Sequence, residues 1–203
     1  MIYIEPLGGI CNRLRAIASA IWLSEKISKP LTVIWNVNKE FNITFESLFQ
    51  PVKEFKLIGK SGKFQNVKSS NQKSNIKRLL GKGINKFYGI DYCIKEMEIK
   101  NYKEDYFESL KRFNTIYIVT CEQFGFPSNY FSIFKPVSSI QNEIDKITRN
   151  FNSDTIGIHI RRTDNMMSIL NSPIDLFYNK LEEEIKKMMM IIIKFQKYFL
   201  PII

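Results

Sequence analysis

The polar residues best suited to chemistry fall in one short segment, His159-Ile160-Arg161-Arg162-Thr163-Asp164. The preceding run from Thr155 to Ile160 alternates in polarity, which predicts a strand, and ligand sites of open α/β sheets lie beyond the carboxyl ends of strands. The planar guanidinium of Arg161 can bind a diphosphate through two hydrogen bonds and stabilise the charge on a departing nucleoside diphosphate. The segment therefore predicts a phosphate-binding site.

The alternation places His159 and Arg161 on one face of the predicted strand and leaves Arg162 facing Asp164 or a second phosphate oxygen. Asp164 is predicted to orient the arginines rather than to act as a base, because two guanidiniums stabilise its charged form. His159 is the one histidine of the chain, which excludes a histidine-based metal cluster and a Ser-His-Asp triad. The alternative interpretation is a surface cluster of salt bridges.

A second constellation lies near the start of the chain, at the predicted junction between a strand and a helix. Gly8 and Gly9 allow the backbone to approach a ligand closely, and the following helix presents free N–H groups. Asn12 can donate and accept hydrogen bonds, while Arg13 and Arg15 can pair with a phosphate. The motif lacks the Gly-Lys-Ser/Thr ending of a P-loop and the third glycine of the dinucleotide fingerprint. The alternative here is an ordinary glycine turn with surface arginines.

Together the two motifs resemble the superfamily of α1,6-fucosyltransferases, nodulation fucosyltransferases and protein O-fucosyltransferases. In that superfamily an N-terminal Gly-x-x-Asn-Arg turn and a later His-x-Arg-Arg-x-Asp segment meet at the GDP-fucose site. The stretch from Thr163 to Phe177, with Ser172-Pro173 opening a helix, is similar to the bacterial members.

This resemblance implies a GT-B-like pair of Rossmann-type domains and an inverting transfer of fucose from GDP-fucose to a glycan acceptor. It also implies that GDP-fucose is the donor substrate and that neither a cofactor nor a metal is needed. Arg161 would be the catalytic residue and bind the β-phosphate of the donor. The residues implied to line the donor site are Gly8, Gly9, Asn12, Arg13, His159, Arg161, Arg162 and Asp164.

The elements around these motifs are predicted from hydrophobic spacing. Strand Ile2 to Ile4, helix Asn12 to Lys29 and strand Leu31 to Trp35 form a βαβ unit, which implies a parallel sheet. Ile116 to Thr120 is a further buried strand, and Val137 to Asn150 has helical spacing.

Local sequence signals give predictions for three other segments. Thr44 to Phe49 is expected to open a short helix or turn, and residues 59–86 form a mobile, basic loop region with room for one short helix. Ser172-Pro173 supplies an N-cap and a first helical proline, so a helix is expected to continue to Lys187.

The predicted class is α/β, with residues 1–150 as an N-terminal, acceptor-side domain and residues 151–203 as an incomplete GDP-sugar-binding domain. The apolar run Met188 to Ile193 suggests a frameshift or premature stop, and activity of the truncated chain is therefore in doubt. No catalytic base follows from the sequence, since Glu5 and Asp164 are candidates by position alone.

The formal net charge of +10 favours anionic partners. The expected partners are a sugar nucleotide and a glycan acceptor; no nucleic acid is expected, because the aromatic and basic residues follow no RNA-recognition pattern. Three scattered cysteines and no visible signal peptide suit the cytoplasm, with peripheral contact at the inner face of the membrane as an option. The alternative is a basic protein that binds nucleic acid or a membrane surface without catalysis.

Overall fold

The computed structural model describes residues 1–59, 64, 66–70, 75–95, 99, 103–153, 155–158, 160, 166–171 and 173–188. The chain divides into two compact units, Met1–Ile144 and Asp145–Ile203. The division falls inside a helix, shortly before the boundary predicted at residue 150.

A parallel sheet forms the centre of the first unit. Its strands are β1 (Ile2–Pro6), β2 (Leu31–Trp35), β3 (Lys56–Gly59), β4 (Tyr92–Lys95) and β5 (Ile116–Thr120). The five strands lie in the order β3-β2-β1-β5-β4, and β1 at the centre pairs Ile2 with both Leu31 and Ile116. This Rossmann-like arrangement confirms the predicted α/β class and the parallel βαβ unit.

The described residues also form helices. In chain order they are α1 (Ile10–Ile27), α2 (Asn75–Phe87), α3 (Glu104–Ser109), α4 (Ser138–Thr148), α5 (Met166–Asn171) and α6 (Ile174–Met188), with 3₁₀ turns at Leu110–Arg112 and Ser128–Ile133. Among the helices of the described ranges, none combines the length and the apolar character that crossing a membrane requires.

The two faces of the sheet bury different side chains, as the period-2 geometry of strands requires. Ile2, Ile4 and Ile118 pack beneath α1 and α3, where the Trp22 and Phe107 rings meet edge to face with centroids 5.3 Å apart. The other face carries a smaller cluster of buried residues, Ile34, Phe64, Val67, Ile90, Cys93 and Tyr117. Each fully buried apolar side chain stabilises the fold by about 1.5–3 kcal/mol.

Most element predictions in the first unit are confirmed. The predicted strands correspond to β1, β2 and β5, the two long helices to α1 and α4, and Phe45 to Leu48 forms a turn. The short strands β3 and β4 were not predicted, because four residues are too few to show a clear alternation. The region predicted as a basic loop contains α2.

The predicted strand from Thr155 to Ile160 is wrong for the residues that the structure describes. Residues 155–158 and 160 are not in a strand. The described residues of the second unit contain no strand with which they could pair. A strand depends on hydrogen bonds to a neighbour, so an alternating sequence alone does not suffice. The predicted helix after Pro173 is confirmed as α6, whereas α5 was not foreseen.

Candidate functional site

The turn between β1 and α1 is built around two glycines with different roles. Gly8 has φ +78°, a left-handed conformation that favours glycine, and a Cβ at this position would lie 2.7 Å from Asn12 Nδ2. Gly9 caps α1 in an extended conformation without a side-chain hydrogen bond, and a Cβ there would have no neighbour within 4 Å. Gly8 therefore shapes the turn, while Gly9 leaves its backbone accessible.

The turn leads into the N-terminus of an 18-residue helix at the carboxyl edge of the sheet. Arg13 N–H donates to the Gly9 carbonyl at 3.1 Å, whereas the N–H groups of the first turn precede the intrahelical hydrogen-bond pattern. The first turn contains no acidic residue, and Cys11 beside it is exposed. Free N–H groups and the positive end of the helix dipole together favour an anion here.

Arg13 supports the turn from inside the protein. Its side chain has 0% exposure; Nε donates to the Gly8 carbonyl and Nη1 to the Asn36 carbonyl, both at 2.8 Å. The guanidinium carbon lies 4.8 Å from the ring centroid of Trp35 and 4.7 Å from that of Phe41. This placement corrects the prediction that Arg13 pairs with a phosphate: the cation holds Gly8 in position and is inaccessible to a ligand.

Neighbouring groups compensate only part of the cost of burying the positive charge of Arg13. Burial lowers the pKa of its guanidinium, and the carboxylates of Glu40 and Glu5 oppose that shift. Nη2 is buried and has no hydrogen-bond partner among the described residues. Attraction to the two aromatic faces offsets part of the cost of removing this charge from water.

Hydrogen bonds also connect the turn to the end of β5. Arg15, which the sequence suggested as a phosphate ligand, donates from Nε to the Cys121 carbonyl at 2.8 Å. Leu7 N–H donates to the Thr120 carbonyl at 3.0 Å. Further along α1, Ser19 accepts from Phe124 N–H at 2.9 Å. These hydrogen bonds hold the turn and α1 against the end of β5 and the segment that follows it.

Glu5, a sequence candidate for the catalytic base, is enclosed at the end of β1. It is 2% exposed, accepts a hydrogen bond from the Tyr117 hydroxyl, and lies 3.4 Å from the donating Nδ2 of Asn36. Burial is the main cause that raises the pKa of Tyr117 well above its ordinary value, and the hydrogen bond to Glu5 is the second. The phenol therefore stays protonated and donates. These contacts give Glu5 a structural role in joining β1, β5 and the end of β2.

The second motif, His159, Arg161, Arg162 and Asp164, lies outside the described residues. The assignment of these residues to the donor site stays a prediction, as does the expectation that no metal or other cofactor takes part. Within the second unit, Ile156 to Ile158 and the α6 residues Phe177 and Leu181 line a cavity of about 400 Å³. The motif thus follows directly on a segment that borders an open apolar pocket.

Comparison with known proteins gives only distant likenesses. No protein-family model matches the chain, and no curated protein sequence matches it significantly. A crystal structure of NodZ alpha-1,6-fucosyltransferase soaked with GDP-fucose is similar to it with a TM-score of 0.47 and 17% identity, over 89% of this chain and 66% of that one. Fucosyltransferase NodZ from Bradyrhizobium gives a TM-score of 0.40 and 17% identity, over 73% of this chain and 54% of that one. The chain therefore spans less than two thirds of either structure.

Proposed function

We propose that this chain is part of a glycosyltransferase that binds GDP-fucose and transfers fucose with inversion to a glycan acceptor. The observation that carries the proposal is the turn at Gly8 and Gly9, with its accessible backbone at the N-terminus of α1. A helix N-terminus beyond the carboxyl edge of a parallel sheet is a common binding place for a phosphate group.

The proposed reaction is a displacement at the anomeric carbon of the donor sugar. The acceptor hydroxyl oxygen forms a bond to the anomeric carbon while the bond from that carbon to the β-phosphate oxygen breaks, and GDP leaves with the electron pair. Arg161 stabilises the charge on the departing diphosphate, and His159, Arg162, Asp164 and Asn12 line the donor site. The hydroxyl proton passes to a base, for which the enclosed Glu5 is poorly placed.

Replacing Arg161 tests the proposed phosphate contact. We expect the chain to bind GDP with micromolar affinity, and Arg161→Ala to weaken binding by about ten- to a hundredfold, because hydrogen bonds to charged groups contribute about 1.5–3 kcal/mol. Arg161→Lys should not restore it, since an ammonium cannot form the bidentate contact.

Calorimetric titration with GDP and with UDP measures both affinity and base selectivity. Arg149, an exposed residue just after α4, supplies the matched control Arg149→Ala, which should bind GDP as the parent chain does. Equal binding by Arg161→Ala and the parent chain would contradict the site assignment.

Gly9→Ala tests the turn independently of Arg161. The added methyl group has no neighbour within 4 Å and the backbone conformation is ordinary, so stability should change by less than about 1 kcal/mol. If a phosphate approaches this backbone, the methyl group obstructs it, and the Kd for GDP should rise on the order of tenfold.

The matched control is Gly59→Ala, which also meets nothing within 4 Å but lies at the end of β3. Titration of both variants, with thermal unfolding followed by circular dichroism, separates binding from stability. Unchanged GDP affinity in Gly9→Ala would mean that the diphosphate does not bind at this turn.

A further inference from the structure

Helix α2 turns its apolar stripe towards solvent. Ile76, Leu79, Leu80 and Phe87 are 74%, 73%, 63% and 84% exposed, and Ile84 is 37% exposed. Their spacing of three, four and seven residues places them on one side of the helix. In a surface helix of a globular protein such a stripe normally faces the core, so α2 has the opposite orientation.

The side of α2 that contacts the protein is small and polar. Gly81 and Asn85 are buried, and at 100° per residue they lie opposite the apolar stripe. The Asn85 side chain donates to the Lys68 carbonyl at 2.7 Å and accepts from the Lys68 N–H at 2.8 Å, and the Asn85 carbonyl accepts from Ile90 N–H. These hydrogen bonds fix the outward orientation of the stripe.

Basic residues border the apolar stripe. Lys77 lies on one side of it and Lys86 on the other, with Lys82 further round the helix, and all three are exposed. The segment from Asn75 to Phe87 contains no acidic residue. Lysines at the border of a stripe can extend their ammonium groups towards an anionic surface while the apolar side chains enter an apolar layer.

We propose that α2 binds the surface of a membrane that contains anionic lipids, with Ile76, Leu79, Leu80 and Phe87 inserted below the headgroups. The helix axis would lie in the membrane plane, with the stripe buried to about 5–10 Å. The bordering lysines contact the anionic headgroups. This inference rests on α2 alone and does not depend on the proposed transferase activity.

Charge and apolarity together favour lipid over other occupants of this surface. A contact between two copies of α2 is less favourable, because the helix has several basic residues and no acidic residue to pair with them, so the two copies would repel each other. Nucleic acid would account for Lys77, Lys82 and Lys86 but not for an exposed stripe of Ile, Leu and Phe side chains, since phosphate contacts are polar.

The test is co-sedimentation of the full chain with vesicles of phosphatidylcholine alone and of phosphatidylcholine with phosphatidylglycerol. The parent chain should bind the anionic vesicles preferentially and lose binding as salt is raised. The double variant Leu79→Gln, Leu80→Gln should lose on the order of tenfold in partitioning. Lys82→Gln, Lys86→Gln should lose on the order of tenfold on anionic vesicles and nothing on neutral ones.

A matched control comes from exposed apolar residues elsewhere, Ile147 and Phe151, which are 56% and 58% exposed. Ile147→Gln, Phe151→Gln should partition as the parent chain does. The proposal is overturned if the parent chain shows no preference for anionic vesicles, or if the Leu79, Leu80 variant binds them equally well. It is also overturned if sedimentation velocity shows a dimer that this variant abolishes, or if single-stranded RNA binds α2 and vesicles do not.

Discussion

Replacing Arg13 with methionine is expected to destabilise the first unit by about 3–5 kcal/mol. The change leaves the carbonyls of Gly8 and Asn36 without their donors and removes the cation from between Trp35 and Phe41. Methionine fills a similar volume, so the loss reports the guanidinium rather than a cavity. Both tryptophans of the chain, Trp22 and Trp35, lie in this unit, and urea unfolding followed by tryptophan fluorescence therefore measures its stability.

Two further variants test whether stability depends on the two donors of the Arg13 guanidinium pointing in fixed directions. Arg13→Lys keeps a charge but cannot reach two carbonyls in fixed directions, so it should recover little of the loss. Arg15→Met removes the single hydrogen bond to the Cys121 carbonyl from a partly exposed side chain, and should cost only about 1 kcal/mol. A loss below about 1 kcal/mol for Arg13→Met would contradict the supporting role described for this residue.

Gly125→Ala should cost about 3 kcal/mol or more, because it combines backbone strain with a steric clash. Gly125 has φ +63°, and a Cβ there would lie 2.2 Å from Trp22 Cε3. The Trp22 ring cannot easily move aside, since it packs edge to face against Phe107 and Phe126. Urea unfolding again measures the difference.

Gly89→Ala is the matched control for this clash. Gly89 has a similar φ of +69°, but a Cβ there meets nothing within 4 Å, so the cost should be limited to the strain of about 1–2 kcal/mol. The difference between the two variants isolates the contact with Trp22. Equal losses at Gly89 and Gly125 would show that the segment after β5 moves away from α1 at little cost.

The sequence predicted the centre of the fold because its local signals agree. Ile2 to Ile4 and Leu31 to Trp35 are compact apolar runs, the glycines of the turn separate strand from helix, and Pro30 follows the end of α1. The strand predicted at Thr155 shows the limit of this reasoning. Alternation indicates which side chains could share a face, but pairing partners decide whether a strand forms.

The position of Arg13 depends on contacts between residues that are distant in sequence. The carbonyl of Asn36 and the rings of Trp35 and Phe41 enclose it only after β2 has paired beside β1. One signal could have indicated its burial. Arg13 shares helical spacing with Ala16, Ile17 and Ala20, the apolar face of α1, rather than with the exposed positions.

The strand order also determines when the proposed phosphate-binding turn can be completed during synthesis. Arg15 and the carbonyl that it contacts are 106 residues apart, and β1 lacks one of its two neighbours until β5 has been made. Such long-range pairing is characteristically slow. A nascent chain can therefore form β1, α1 and β2 early. One edge of the central strand β1, however, stays unpaired until most of the first unit has been synthesised. That edge is where premature association with other chains would begin.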